Sequence, residues 1–181
     1  MLSETQRQRL LRIAREAIEV VHAGRAPGWD ADEFDDDLRR PAGAFVTLRT
    51  KGGDLRGCIG SIHAVHPLYQ AVTSSAISAA FRDPRFMPVQ PDELPHLEIE
   101  ISVMGPIEIV ADPDEIMVGR DGLIVSRGRQ AGLLLPQVAT EYGWERETFL
   151  AQTCVKAGLP PIAWRLQDTR IERFAAEVFG E

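Results

Sequence analysis

Apolar residues recur at helical spacing in the first part of the chain, at Leu10, Leu11, Ile13, Ala14, Ala17, Ile18 and Val21. Ser3 followed by Gln6 is the pattern of a capping box, in which each residue's side chain binds the other's backbone N–H. The periodic pattern stops at Gly24, a residue type that commonly ends helices. The sequence therefore predicts an amphipathic helix between Ser3 and Gly24.

Alternating and β-rich runs follow this helix. The runs Gly43–Arg49 and Asp54–Ile62 are separated by Thr50–Gly53, where two adjacent glycines supply the positive φ angles that a hairpin turn requires. From His96 to Met104 apolar and polar residues alternate strictly, which is typical of a sheet covered on one face. Ile107–Val110 is expected to extend this strand or to pair with it.

Other segments predict further helices and strands. They are a helix over Pro67–Phe81, a short helix over Asp112–Gly119, a hairpin of Gly122–Ser126 and Gly132–Leu135, helices over about 138–142 and 145–157, and one or two strands over 165–179. Helices and antiparallel hairpins mix without a repeating βαβ period. This pattern predicts an α+β fold, with an antiparallel sheet flanked by helices.

Length and composition narrow the class of protein. With 181 residues the chain has the size of one domain, and two large domains are excluded. No apolar run approaches the roughly 20 residues that a membrane-spanning helix needs, and no secretory signal is visible, so a cytoplasmic location is expected. The two cysteines, Cys58 and Cys154, are too few for a disulfide framework or a four-thiolate zinc site.

The formal net charge of -7 is concentrated in one segment. Between Asp30 and Asp37 every residue except Ala31 and Phe34 is acidic, so the remainder of the chain is almost neutral. This balance argues against a basic surface for nucleic acid. A calcium-binding EF-hand loop that started at Asp30 would need Gly and Glu where the chain has Asp35 and Pro41, so we predict no metal site there.

The segment Leu55–Gly60 carries the strongest chemical signal, since the chain lacks the common nucleotide-binding and hydrolase motifs. Alternate strand residues share a face, which puts Arg56, Cys58 and Gly60 together. A cation beside a thiol favours the reactive thiolate, and strand glycines allow a ligand or another backbone to approach closely. The alternative is that Cys58 is a small buried apolar residue.

Other polar residues are weaker candidates. Glu98 and Glu100 share a strand face, where they would serve as an acid and a base or simply form a solvated outer face. His63 and His66 have a possible ligand spacing for a helix, but at a strand end they face opposite sides, so we predict loop histidines and no metal. In Asp83–Phe86 the phenylalanine is expected to anchor the core, while the charged residues order the turn.

Six blocks of the sequence, in order, resemble the signatures of the AMMECR-type domain family. They are Gly43–Leu48, Leu55–Gly60, Ala79–Phe86, Leu97–Val103, Leu134–Ala139 and Thr153–Leu159, and the resemblance covers about Ser3 to Glu181. It implies a single α+β domain over 1–181, with a larger lobe (about 1–110 plus 163–181), a smaller lobe (about 111–162) and a cleft between them. The Leu55–Gly60 block is the suspected functional element in that cleft.

The resemblance also carries candidate site residues onto this chain. The catalytic candidates are Cys58, Arg56, Glu98 and Glu100; the substrate-binding candidates are Gly57, Gly60, Asp83, Arg85 and Gln137; Cys154 also falls in a matching block. The first hypothesis is an enzyme, or an enzyme subunit, that uses Cys58 on a small polar or anionic substrate. The alternative is a non-catalytic adaptor. Prokaryotic members of the family resemble protein A of the AmmeMemoRadiSam system, and this resemblance implies Memo-type and radical SAM proteins as partners. We expect no cofactor and no nucleic-acid partner.

Overall fold

The computed structural model describes all 181 residues and has an α+β fold. The helices are α1 (Glu4–His22), α2 (Asp36–Arg39), α3 (Leu68–Phe81), α4 (Pro136–Glu141) and α5 (Arg146–Lys156). The strands are β1 (Ala44–Thr50), β2 (Leu55–Ser61), β3 (Leu97–Ile109), β4 (Asp121–Arg127), β5 (Gln130–Leu134) and β6 (Arg170–Gly180). The chain divides into two compact units, residues 1–104 with 177–181 and residues 105–176.

In the first unit, β1 lies between β2 and β3 and pairs antiparallel with both. The capping box of Ser3 and Gln6 starts α1 as predicted, and both of its hydrogen bonds are present. Helix α3 packs on β1 and β2, and α1 packs on α3. The core between them is made of aliphatic side chains, among them Leu10, Ile13, Val46, Leu48, Val72, Ile99 and Ile101.

Helix α3 approaches the sheet closely because small residues face it. The hydroxyl of Ser75 donates a hydrogen bond to the carbonyl oxygen of Ala44, at 3.0 Å. At Gly57 of β2, an added Cβ would lie only 2.2 Å from the carbonyl oxygen of Ala79. Any side chain at position 57 would therefore push the helix away from the strand.

The second unit is built on β4, which pairs antiparallel with β5 and with β6. Buried side chains of α5, including Phe149, Leu150 and Cys154, pack against β4 and β5. The ring of Phe174 in β6 fills the space where Gly122 has no side chain, since an added Cβ there would lie 2.4 Å from it. The strand order is β2-β1-β3 in the first unit and β6-β4-β5 in the second.

Several boundaries differ from the sequence-based expectation. The short helix expected over Asp112–Gly119 is only a 3₁₀ turn at Pro113–Glu115, because the backbone is already extended at Ile116. Two open alternatives are decided: strand β3 continues without a break to Ile109, and the tail forms a single strand, β6. Ser102, one of the polar residues in the alternating run from His96 to Met104, is buried rather than solvated.

The two units differ in their boundaries from the lobes that the family resemblance implies. The predicted smaller lobe, 111–162, lies inside the second unit, which extends further in both directions to 105–176. The predicted cleft stays a prediction. None of the helices has both the length and the apolar character needed to cross a bilayer.

We expect Gly57→Ala to destabilise the protein by about 1–3 kcal/mol, the usual cost of overpacking a core. The added methyl group would meet the backbone of α3, which has no flexible side chain to move aside. Urea unfolding monitored by circular dichroism measures the change. Gly52→Ala in the same hairpin is the matched control, because its nearest atom would be 3.6 Å away; equal stability of the two variants would contradict the prediction.

Candidate functional site

Cys58 lies on the face of β2 that points away from α3. Its strand partner is Thr47 of β1, and the partner of Thr47 on the other side is Glu100 of β3. These three residues therefore form one row across three strands, with side chains on the same face. The hydroxyl of Thr47 donates a hydrogen bond to Sγ of Cys58, at 3.3 Å, and the cysteine is half-buried.

The backbone of Cys58 is bound by the segment that follows α3. Strand β2 is at the end of the strand order, so one of its edges has no neighbouring strand. The Oδ2 atom of Asp83 accepts a hydrogen bond from the backbone N–H of Cys58, at 2.9 Å. A guanidinium N–H of Arg85 donates to the carbonyl oxygen of Cys58, at 3.3 Å. Side chains thus satisfy the edge groups that a further strand would otherwise bind.

Asp83 and Arg85 form a bidentate ion pair, with Nε and Nη2 of the arginine 2.9 and 2.7 Å from the two carboxylate oxygens. Hydrogen bonding from Arg85 holds the pKa of the Asp83 carboxyl well below its ordinary value, although burial opposes this effect. The same ion pair raises the pKa of Arg85. The carboxylate side chain is 2% exposed, whereas that of Arg85 is 54% exposed. Nη1 of Arg85 donates no hydrogen bond, so part of the guanidinium remains free.

Arg56 is engaged elsewhere. Its Nε and Nη2 each lie 3.0 Å from a carboxylate oxygen of Glu93, and its Nη1 donates to the carbonyl oxygen of Met87. The hydrogen bonds from Arg56 lower the pKa of Glu93. Arg85, rather than Arg56, is therefore the arginine with contacts to Cys58, which sequence reasoning did not anticipate.

Other parts of the protein fill the space beside both glycines of the Leu55–Gly60 motif. Gly57 faces Ala79 of α3, and Gly60 lies under the ring of Phe45, whose Cγ would be 2.5 Å from an added Cβ. An aromatic ring that covers a glycine on the neighbouring strand is a recognised way to stabilise a strand at that position. A substrate-binding role for either glycine stays a prediction.

The remaining candidates are distributed over both units. Glu100 is half-buried and accepts no hydrogen bond from another side chain, and Glu98 is exposed. His63 and His66 are exposed in the loop before α3, and no group of three or more His, Cys, Asp or Glu side chains is placed to hold a metal ion. The segment after α3 places Phe86 half-buried beneath the guanidinium groups of Arg56 and Arg85.

Two candidates belong to the second unit. Gln137 lies in the first turn of α4, and its buried Oε1 has no hydrogen-bond partner. Cys154 is fully buried in α5, and burial raises the pKa of its thiol. Cys154 is therefore a core residue of this unit, whereas Cys58 is partly accessible.

Comparison with known proteins agrees with this fold. The family model described as AMMECR1 matches residues 11–179. The chain belongs to the AMMECR1 family. A protein of Methanothermobacter thermautotrophicus is 50% identical over 186 residues, which cover 99% of this chain and 96% of that protein. Protein TK0174 of Thermococcus kodakarensis is 46% identical over 95% of this chain and 88% of its own length.

A solved structure is also similar. The crystal structure of the uncharacterized protein PH0010 from Pyrococcus horikoshii superimposes with a TM-score of 0.88. It is 44% identical, and the match covers 95% of this chain and 89% of that one. The α+β architecture described above is therefore shared with a solved relative.

Sequence reasoning missed two residues of this candidate site, Thr47 and Glu93. Thr47 could have been found by counting strand partners back from the turn, but the pairing shifts by one residue between Leu48 and Arg49. That irregularity would have misplaced the count. Glu93 lies 37 residues from Arg56 in sequence, and no local pattern connects the two.

We expect Asp83→Asn to lower the free energy of unfolding by about 2 kcal/mol at neutral pH, as is usual for lost hydrogen bonds to a charged group. The pKa of Asp83 is lowered in the folded state, so its carboxylate stabilises the fold above the ordinary carboxyl pKa of about 3.9. This stabilisation is lost progressively as pH falls below that value. Urea unfolding of both proteins at neutral pH and at about pH 3 tests this sign.

The difference in unfolding free energy between wild type and Asp83→Asn should therefore become smaller as the pH is lowered. Asp92→Asn is the matched control, since Asp92 is an exposed carboxylate of the same unit without a hydrogen-bond partner. A difference that stays constant, or one that Asp92→Asn reproduces, would contradict the prediction.

Proposed function

We propose that this AMMECR1-family protein is an enzyme, or the subunit of one, in which the thiol of Cys58 attacks a small anionic substrate. The observation that carries the proposal is the pair of groups around this cysteine. The Thr47 hydroxyl donates to Sγ, and the guanidinium of Arg85 binds the carbonyl oxygen of the same residue. Both groups favour negative charge at the sulfur.

The reactive form of a cysteine is its thiolate, which nearby hydrogen-bond donors and cations stabilise. The Thr47 hydroxyl is one such donor. The ion pair with Asp83 fixes the guanidinium of Arg85 in position. Neither group needs to reorganise when the thiol loses its proton, which is the condition for efficient electrostatic stabilisation.

The free donors of Arg85 suggest the substrate class. Two of its guanidinium nitrogens bind Asp83, while Nη1 remains available on a half-exposed side chain. A guanidinium binds carboxylate and phosphate groups through such donors. We therefore assign Arg85 as the residue that holds a carboxylate or phosphate of the substrate beside Cys58.

Glu100 completes the row as the acid and base. It lies two strands from Cys58 in register with Thr47, and no hydrogen bond occupies its carboxylate. In the proposed step the thiol proton passes to Glu100 through bridging water, because two strand spacings separate the two residues, and the sulfur forms a bond to an electrophilic carbon of the substrate. The bond from that carbon to the leaving group breaks, and the leaving group takes the electron pair and the proton from Glu100.

Arg56 and Glu93 have a structural role in the proposal. Their ion pair and the bond from Arg56 to Met87 hold segment 87–93 in place. Arg56 is therefore a positioning residue in the proposal, and the contact with the substrate is given to Arg85.

A second candidate is a non-catalytic adaptor for Memo-type and radical SAM partners. One observation favours it. Asp83 and Arg85 bind the backbone groups of Cys58 at the edge of β2, and these contacts protect that edge even if the thiol never reacts. In an adaptor, the Leu55–Gly60 block would be a structural strand. Reactivity of the thiol separates the two candidates.

We expect iodoacetamide to alkylate Cys58 in the native protein while Cys154 stays unmodified until the protein unfolds. Alkylation joins Sγ to the acetamide carbon and releases iodide, so its rate reports the thiolate directly. Site-resolved mass spectrometry over a series of pH values measures both cysteines in one sample. Thr47→Val and Arg85→Gln should each slow the reaction of Cys58 at neutral pH by about tenfold, since each removes roughly 1–2 kcal/mol of thiolate stabilisation.

Arg129→Gln is the matched control, because Arg129 is an exposed arginine in a turn of the second unit. It should leave the alkylation rate of Cys58 unchanged. If Cys58 reacts no sooner than Cys154, or if Thr47→Val and Arg85→Gln both keep the wild-type rate, the nucleophile proposal fails. Affinity capture with the candidate partner proteins would then test the adaptor.

A further inference from the structure

A second concave site lies in the first unit, on the side of α3 that carries its exposed hydroxyl and amide groups. It is a groove of about 490 Å³ between α3 and segment 27–29, which is within the usual range for small-molecule sites. Its lining residues are Pro27, Gly28, Trp29, Tyr69, Gln70, Thr73, Ser74, Ile77 and Arg82. None of them belongs to the row of Cys58, Thr47 and Glu100.

The aromatic wall of the groove is held in a fixed position. The indole N–H of Trp29 donates to the hydroxyl of Thr73, at 3.0 Å, and that hydroxyl donates to the carbonyl oxygen of Tyr69, at 2.7 Å. The ring of Tyr69 stacks on that of Phe34, with centroids 4.1 Å apart. A ring that is already ordered loses little conformational entropy when a ligand stacks on it.

Arg82 is the single charged residue that lines the groove. Most arginines of this chain are paired with a carboxylate, whereas the exposed side chain of Arg82 makes neither an ion pair nor a hydrogen bond. Its five N–H donors are therefore all available.

Two neutral polar groups accompany this arginine. Ser74 is exposed, and its hydroxyl has no hydrogen-bond partner. The side-chain amide of Gln70 donates to the Tyr69 hydroxyl, at 3.0 Å, which leaves its Oε1 free as an acceptor. The groove thus offers one cation, one hydroxyl and one amide oxygen beside an indole ring and the side chain of Ile77.

We propose that this groove binds a small molecule that carries an oxyanion, a carboxylate or a phosphate, attached to a flat ring. The guanidinium of Arg82 binds the oxyanion, because its planar donors match carboxylate and phosphate oxygens. The ring lies against Trp29 and Ile77, where it buries apolar surface and stacks on the indole. Ser74 and Gln70 supply hydrogen bonds that orient the ligand.

NMR titration of ¹⁵N-labelled full-length protein tests this assignment. The indole N–H signal of Trp29, identified by its loss in Trp29→Phe, reports binding in the groove. The probes are benzoate, phenyl phosphate, benzamide and inorganic phosphate. We expect saturable shifts with benzoate or phenyl phosphate, at least about tenfold weaker binding of neutral benzamide, and weaker binding of inorganic phosphate than of phenyl phosphate.

Variants of the arginine separate its charge from its planar shape. Arg82→Gln should weaken the binding of benzoate or phenyl phosphate by about tenfold or more, and Arg82→Lys, which keeps the charge at the end of α3, by less. Arg129→Gln is the control and should bind as the wild type does. The backbone amide spectrum of each variant verifies its fold, and unchanged amide signals of Cys58 and Arg85, which both donate to Asp83, show that the Asp83–Arg85 pair is intact.

Three results would overturn the proposal. The first is the absence of saturable shifts of the Trp29 signal with both ring-bearing anions. The second is equal affinity for benzoate and benzamide, or for phenyl phosphate and inorganic phosphate. The third is wild-type affinity in Arg82→Gln. None of these results bears on the nucleophile proposal, since the two sites share no residue.

Discussion

The carboxylate of Asp83 is the group on which the candidate site depends. It is almost completely buried, and a buried charge costs several kcal/mol unless it is paired and hydrogen-bonded. Four hydrogen bonds offset that cost, from the backbone N–H groups of Cys58 and Arg85 and from two nitrogens of the Arg85 guanidinium. The same carboxylate thereby joins the end of α3 to the edge of β2, and it positions the guanidinium that binds the carbonyl oxygen of Cys58.

The two faces of β2 have different tasks. The face toward α3 is a packing surface, where Gly57 lets the helix backbone approach, and the opposite face carries Cys58 in a polar row with Thr47 and Glu100. Alternation of side chains along a strand makes this separation possible within six residues. The motif is therefore both a constraint on packing and a candidate for chemistry, and the proposed function concerns only the second face.

Local patterns predicted most of the fold because they act over a few residues. The capping box of Ser3, the glycine turn of the first hairpin and the alternation from His96 to Met104 each have a local physical cause, and each lies in the expected element. Of the two hairpin glycines, only Gly53 has the expected positive φ angle. The site was less predictable, since its partners come from distant segments. The shift in strand pairing after Leu48 concealed Thr47, and the binding of Arg56 to Glu93 left Arg85 as the cation at Cys58.

The occupied backbone groups of Cys58 at the edge of β2 also bear on how the protein behaves at high concentration. An open strand edge is a template onto which another chain can add a strand, and such additions lead to aggregation. Here Asp83 and Arg85, which lie outside the strand, bind the backbone groups of Cys58 on that edge. Under the proposed function, solubility and thiol chemistry share these two side chains, so a substitution of Arg85 changes both the reactivity of Cys58 and the tendency of the chain to self-associate.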